Sequence, residues 1–378
     1  MKKYFACCWF SLLLLGVCPL VGEAQTIDVW IGTGRAGIYH LTLDTKDGIL
    51  SKPMVVSEAK GAGFLSLHPN GKVLYATTRE GGGGVTAFSI DRSADPDIVS
   101  DKLSPIGTIS TGDGGAACIA VDRSAMALMS AQYGGGSIST YALTDSGSLD
   151  RRVQTVEHGA GSKSHPKRQQ TAHPHWVGTS PDNRFVMVPD LGKDQVLVYD
   201  FDSESGEVKW KSSVDLPAGS GPRHMKFHPS GDYVFVLNEL ALTLSVFRYD
   251  PESGALIPVQ EISTLSESLK DKHLNSAAEI RVHPTGRFVY ASNRGHDSIS
   301  VFSFDLELGE LKLVERESIR GAWPRNFNLD PSGRWLIAAG QRSNTLALFE
   351  VDLETGELVF ARQVVNATDP TCVLFQSE

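Results

Sequence analysis

Histidine, arginine and acidic side chains recur in short clusters along the chain. The clusters are His173-Pro174-His175, Pro222-Arg223-His224, Ala278-Glu279 and Pro324-Arg325, joined by Asp190, Asn238-Glu239, Asn293-Arg294 and Gln341. An imidazole or carboxylate whose pKa is moved toward neutrality by burial can take and return a proton. A guanidinium offers a planar fork of donors that grips a carboxylate, a phosphate or an oxyanion forming in a transition state. Several such cations around one or two carboxylates suit a small anionic or polyhydroxy molecule. Taken singly, each residue also has a plainer role: an arginine can pair ionically between neighbouring elements, and Glu279 or Asp190 can bond loop amides. Only convergence makes a site, and these residues run from position 173 to position 341.

An internal repeat supplies the convergence. A strand, a proline-containing turn and a second strand recur: Phe64-Leu-Ser-Leu-His-Pro-Asn-Gly71 with Val73 to Thr77, Met225 to Gly231 with Tyr233 to Leu237, Ile280 to Gly286 with Phe288 to Tyr290, and Phe327 to Gly333 with Trp335 to Ile337. Weaker copies run from Ile119 to Leu128 and from Val177 to Val188. In the turn, proline presets its own φ and glycine accepts a positive one. His68, His228 and His283 each precede this proline and are read as parts of the turn. A second signal, Asp-x-x-x-Gly, closes an outer hairpin at Asp44, Asp202, Asp250, Asp305 and Asp352. Each unit is therefore a four-stranded antiparallel meander. The second strands start at Val29, Val73, Ala127, Phe185, Tyr233, Phe288 and Trp335, a mean step of about 51 residues. Seven copies predict an all-β, seven-bladed β-propeller. Ile27 to Ile31 is a second strand lacking its first, and Cys372 to Phe375 is a spare first strand. Pairing the two closes the ring and removes an open edge.

In a propeller, residues just before the first strand of a blade and just after the second reach the same mouth of the central channel. That rule selects Gly63, Gly115, His173-Pro174-His175, Pro222-Arg223-His224, Ala278-Glu279, Pro324-Arg325 and Pro370-Thr371 on the first count, and Thr33, Arg79-Glu80, Gln132, Asp190, Asn238-Glu239, Asn293-Arg294 and Gln341 on the second. It does so without reference to their chemistry.

Composition agrees with this fold and excludes others. The 378 residues include 37 Gly and 18 Pro, and each interior Gly or Pro costs a helix roughly 1–3 kcal/mol, so a mostly helical protein is excluded. Lys and Arg total 35 against 44 Asp and Glu, a net charge of -9 with no long basic run, so no nucleic-acid partner is expected. Lys2 and Lys3 precede an uncharged stretch from Ala6 to Val21, then Gly22-Glu23-Ala24. This reads as a signal peptide over 1–24, too short for a membrane span, with Cys18 as a weaker lipidation signal. Residues 25–378 are then one propeller domain, exported to the periplasm or secreted, a monomer or weak oligomer. Cys118 and Cys372 stand in no zinc-ligand spacing; two buried free thiols are expected, with a disulfide open after export. Gly32-Thr-Gly34-Arg-Ala-Gly37 matches a dinucleotide fingerprint, but an alternating strand follows it, so a hairpin is expected. There is no G-x-S-x-G and no H-E-x-x-H, and no metal or cofactor is expected.

At its histidine and arginine clusters the sequence resembles the propeller lactonase family, which includes bacterial 6-phosphogluconolactonases of the propeller type and fungal carboxymuconate cyclases. The resemblance spans nearly all of the mature chain. Its marks are His173-Pro-His175 leading to Ser180-Pro-Asp-Asn183, Val188 to Gly192, Gly221-Pro-Arg-His-Met225, Asn238-Glu239-Leu240, Asn293-Arg-Gly-His296 and Pro324-Arg325-Asn326-Phe327. It implies a site of His175, Arg223, Arg294 and Glu239, with Arg325 as a further arginine. His173, His224, Glu279, His296, Asp190 and Gln341 are the expected substrate-binding surroundings. The implied reaction is hydrolysis of a sugar lactone: Glu239 or His175 is the base, and Arg223 and Arg294 stabilise the oxyanion. The family's phosphorylated lactone is cytoplasmic, whereas the leader points to export. A muconate-type cycloisomerase and a non-catalytic binding platform are the competing readings.

Overall fold

A computed structural model describes residues 26–79, 82–91, 102–270 and 275–376. The expected leader, with Cys18, lies outside the described residues. Seven antiparallel sheets follow one another round the ring as blades. Blade 1 holds Thr26–Thr33, Ile38–Asp44, Ile49–Leu50 and Met54–Ser57, and Pro370–Gln376 completes its inner edge. Blade 2 holds Leu65–Leu67, Val73–Thr78, Gly84–Ile90 and Leu103–Ser110; blade 3 holds Cys118–Val121, Ala127–Gln132, Ser137–Leu143 and Leu149–Glu157. Blade 4 holds Gly178–Thr179, Phe185–Asp190, Gln195–Asp202 and Glu207–Asp215; blade 5 holds Pro222–Phe227, Tyr233–Asn238, Thr243–Tyr249 and Leu256–Ser263. Blade 6 holds Ser276–Val282, Phe288–Arg294, Ser298–Asp305 and Glu310–Ser318; blade 7 holds Pro324–Leu329, Trp335–Gly340, Thr345–Val351 and Leu358–Asn366. The protein is a seven-bladed β-propeller, as the repeat predicts.

Position within a blade decides residue type. Second strands are covered on both faces by neighbouring blades, so Val73–Thr78, Phe185–Asp190 and Tyr233–Asn238 are buried at every residue and open with apolar runs that do not alternate, the polar residues coming at their ends. Fourth strands form the rim, and Glu207–Asp215 is mostly exposed. Between blades 5 and 6, Tyr233, Phe235 and Leu237 pack with Val289, Ala291 and Phe302 in one apolar cluster. Phe235 meets Phe304 edge-on at 4.9 Å between ring centroids. Burying such a ring contributes about 2–3 kcal/mol, and Phe235→Ala would cost about 3–5 kcal/mol.

Two of the turn histidines, His228 and His283, tie blade to blade. His228 Nε2 lies 3.2 Å from the Gly286 carbonyl oxygen, and His283 Nε2 lies 3.1 Å from that of Gly333. Each thus joins its own His-Pro turn to the same turn of the next blade. Gly286 has φ 76°. A Cβ there would sit 2.2 Å from His228 Nε2, so both the conformation and the contact demand glycine.

Closure follows the expected pairing, with Asp28 opposite Gln376, Trp30 opposite Leu374 and Gly32 opposite Cys372. Trp30 Nε1 donates to Gln376 Oε1 at 2.8 Å across this seam. The Gly32–Gly37 motif is a hairpin: Thr33 Oγ1 donates to the Gly37 carbonyl at 2.7 Å and accepts from the Ala36 amide at 2.8 Å. Cys118 and Cys372 are free, buried thiols, and burial pushes both up to about 12. No helix among the described residues is long and apolar enough to cross a membrane.

Candidate active site

The loops entering first strands and leaving second strands meet at one mouth of the channel, around a cavity of about 1000 Å³. His175 reaches it from the connection into blade 4, and Arg223 and His224 from the first strand of blade 5. Glu239 follows the second strand of blade 5, and Arg294 ends that of blade 6. Arg325 and Gln341 come from blade 7 and line the same space. A strand alternates its side chains, so Arg223 and His224 should face opposite ways. The register slips between Pro222 and His224, and again between Ala277 and Ile280 and between Pro324 and Asn326. Such bulges re-aim side chains, and here two neighbouring residues both line the cavity.

Glu239 is the hub of the charges. Its Oε1 lies 2.7 Å from Arg168 Nη2; its Oε2 lies 3.0 Å from Arg223 Nε and 3.1 Å from Arg294 Nη2. Burial by itself would raise this carboxyl, but Arg294, Arg223 and Arg168 outweigh it and hold the group down at about 2. Arg223 is lowered to about 9, by burial first and then by Arg325 and Arg294, so it remains a cation at neutral pH. The Arg325 guanidinium lines the cavity and makes no ion pair or side-chain hydrogen bond among the described residues. Arg168, Arg223, Arg294 and Arg325 therefore surround one carboxylate, which leaves positive charge for an incoming anion or oxyanion.

The histidines form a second chain. His175 Nδ1 lies 3.2 Å from His224 Nε2, and His224 Nδ1 lies 3.0 Å from Glu279 Oε1. Burial first, and then Arg223, His224 and Arg325, keep His175 well below the usual histidine range. His224 is lowered to about 3, chiefly by burial. Both rings are neutral at physiological pH. His175 Nε2 has no hydrogen-bond partner among the described residues, while the residue lines the cavity.

A neutral, buried imidazole and a cluster of arginines thus share one mouth of a propeller. Residues 28–375 match the family described as Lactonase, 7-bladed beta-propeller. The chain belongs to this family. It is 34% identical over 308 residues to the 6-phosphogluconolactonase of Bacillus subtilis (strain 168), covering 80% of this chain and 84% of that one. The periplasmic gluconolactonase of Pseudomonas aeruginosa is similar at TM-score 0.85 and 28% identity, over 93% of this chain and 99% of that one. A Lactobacillus plantarum protein is similar at TM-score 0.85 and 30% identity, over 93% of this chain and all of the other.

Within this lactonase-family propeller, four of the residues expected at the site lie off the cavity wall. Glu279 is wholly buried beneath His224, where its carboxylate also meets Arg281 Nη1 at 2.6 Å and the Ile280 amide at 3.0 Å. Asp190 Oδ1 accepts from the amides of His173 at 2.7 Å and Gly192 at 3.0 Å, and its Oδ2 meets His158 Nδ1 at 2.7 Å. It moors a loop, the plainer role open to it. His173 stacks on Tyr133 at 4.4 Å between ring centroids, and His296 Nδ1 meets Ser298 Oγ at 2.8 Å. Gln341 is on the wall, with its Nε2 donating to Asp369 Oδ1 at 2.9 Å.

Arg168, Tyr133 and Trp323 are among the wall residues absent from the expected set. Arg168 and Tyr133 are joined by hydrogen bonds of 3.1 and 3.3 Å, and Trp323 lies 5.5 Å below the Arg294 guanidinium. A signal for Arg168 does exist in the chain. The connection from Glu157 to Gly178 is far longer than those entering the other blades, and it carries His165-Pro166-Lys167-Arg168. Long connections in compact folds are commonly functional.

Proposed function

We propose that this protein is a lactonase that hydrolyses a sugar lactone to its hydroxy acid, with His175 as the general base. The carrying observation is a neutral, buried imidazole whose Nε2 is unpartnered among the described residues, on a cavity wall shared with Arg223, Arg294 and Arg325. Water on this wall gives its proton to His175 Nε2 while its oxygen attacks the ring carbonyl carbon. The arginines face the charge that develops on the carbonyl oxygen, and a preorganised donor of this kind contributes about 3 kcal/mol. Collapse of the tetrahedral intermediate breaks the ring C–O bond, and the leaving alkoxide takes the proton back from the imidazolium. The product is the open hydroxy acid, whose carboxylate the same arginines can hold. In this reading the arginines, not a metal, polarise the carbonyl.

Glu239 has a different part. A carboxylate held near 2 by three guanidinium groups is a weak base, so it organises the arginines and does not take the proton. The substrate reading draws on relatives: a 6-phosphogluconolactonase and a periplasmic gluconolactonase both act on gluconic lactones by name. Export, expected from residues 1–24, favours the unphosphorylated lactone. The test is acid release from gluconolactone and from its 6-phosphate, measured above spontaneous opening. His175→Ala should lower kcat by about 100-fold or more. No acceleration with any sugar lactone would overturn the proposal.

A further inference from the structure

The general base in the proposed reaction must present an unprotonated nitrogen to the cavity, and a neutral histidine can carry its proton on either side. The hydrogen-bond partners decide which. Arg223 Nη1 lies 3.1 Å from His224 Nε2, and a guanidinium only donates. His224 Nε2 is therefore a lone pair, and the His224 proton sits on Nδ1, where it donates to the Glu279 carboxylate at 3.0 Å. His175 Nδ1 faces that same lone pair at 3.2 Å, so His175 must be the donor of the pair. Its own proton is then on Nδ1, and Nε2 is left free to accept.

We infer that Glu279 and His224 are positioning residues: through two successive hydrogen bonds they hold His175 in the Nδ1–H tautomer and aim its basic Nε2 at the cavity. Glu279 never reaches a ligand, since its side chain is fully buried and off the cavity wall. It can act only through His224. The carboxylate is itself rigidly set. Arg281 Nη1 lies 2.6 Å away, the Ile280 amide donates to it at 3.0 Å, and Asn326 Nδ2 donates to its other oxygen. Ser292 Oγ accepts from the Glu279 amide at 3.0 Å. Two rings in tilted contact, 5.1 Å between centroids, transmit that order from the closed base of the site to its open wall. The step being positioned needs no other group: the water proton goes to Nε2 and returns to the leaving oxygen.

The role assigned to His175 rests on the lactonase reading, but the tautomer does not, and the experiment separates them. Protein labelled with 15N in its histidines is examined by NMR at neutral pH without substrate, and kcat and KM are then measured for wild type and Glu279→Gln. A glutamine can accept from His224 Nδ1 or donate to it, so the fixed charged acceptor that, with Arg223, keeps the His224 proton on Nδ1 is lost. The wild type should show a protonated Nδ1 and an unprotonated Nε2 at His175. Glu279→Gln should disturb that pattern and lower kcat by about 10- to 100-fold with KM within about twofold. A wild-type His175 protonated on Nε2 would overturn the inference, whether or not the variant folds. So would a variant that keeps the wild-type tautomer, whatever its kcat, or one that keeps the wild-type kcat. Failure to open any lactone would count against the lactonase reading alone, because the tautomer is read without substrate.

Discussion

Replacing Glu239 with glutamine separates a hub from a base. In the folded protein its carboxyl is held from 4.5 down to about 2 by three arginines at 2.7–3.1 Å. That difference corresponds to about 3 kcal/mol of stability at neutral pH. Because the folded value is the lowered one, this contribution is complete above about 4.5 and is lost as pH falls toward 2. Glutamine keeps the shape but leaves Arg168, Arg223 and Arg294 without their counter-charge, and removing one partner of a buried pair costs about 3–5 kcal/mol. For a chain of this length that lowers Tm by roughly 4–7 °C. Thermal unfolding of both proteins at neutral pH should show the gap, and the gap should close as pH is lowered through the carboxylate range. In lactone hydrolysis the displaced arginines should raise KM together with any fall in kcat. A variant with wild-type Tm and KM, but kcat lower by about 100-fold, would refute the hub and make Glu239 the base.

Arg294→Lys should raise KM about tenfold: Nη2 alone meets both Glu239 at 3.1 Å and the Ala277 carbonyl at 3.0 Å, and a lysine that took those partners would have no second planar donor to offer a ligand; Michaelis–Menten kinetics check it. Arg325→Ala should leave unfolding unchanged, having no ion pair to break among the described residues, while kcat/KM falls about 100-fold. His175 is held well below 6.5. The rate kcat/KM should thus stay flat as pH falls through that value and decline only further into acid; a decline centred near 6.5 would mark an unperturbed base. Cys118 and Cys372, both raised to about 12 by burial, should resist a thiol reagent near neutral pH in the native protein and react after unfolding.

What the chain declares by itself is periodic and local. A proline and a glycine at fixed places in a turn, an aspartate opening each outer hairpin and an apolar second strand repeat at a regular step. The preferences of each segment need no knowledge of the others, which is why the seven blades, their closure and the positions at the channel mouth were legible. The positions of His175, Arg223, Glu239, Arg294 and Arg325 follow from that topology, and the family resemblance singles them out among the other positions at the mouth.

Tertiary structure decided which of the selected positions face the cavity and in what charge state. The slip between Pro222 and His224 turns both Arg223 and His224 to the cavity. Strict alternation would have separated them, and no local preference announces the slip. Glu279 and Asp190 satisfy the position rule, yet their carboxylates are taken up by His224 and Arg281 in one case and by His158 and loop amides in the other. Arg168 enters the site from a connection that lies outside the repeat, so the period could not point to it. Glu239 illustrates the physical reason most directly. Its pKa is the sum of burial, which raises it, and of three cations from residues 168, 223 and 294, which lower it more. A sum over groups far apart in the chain exists only once the fold has set their distances.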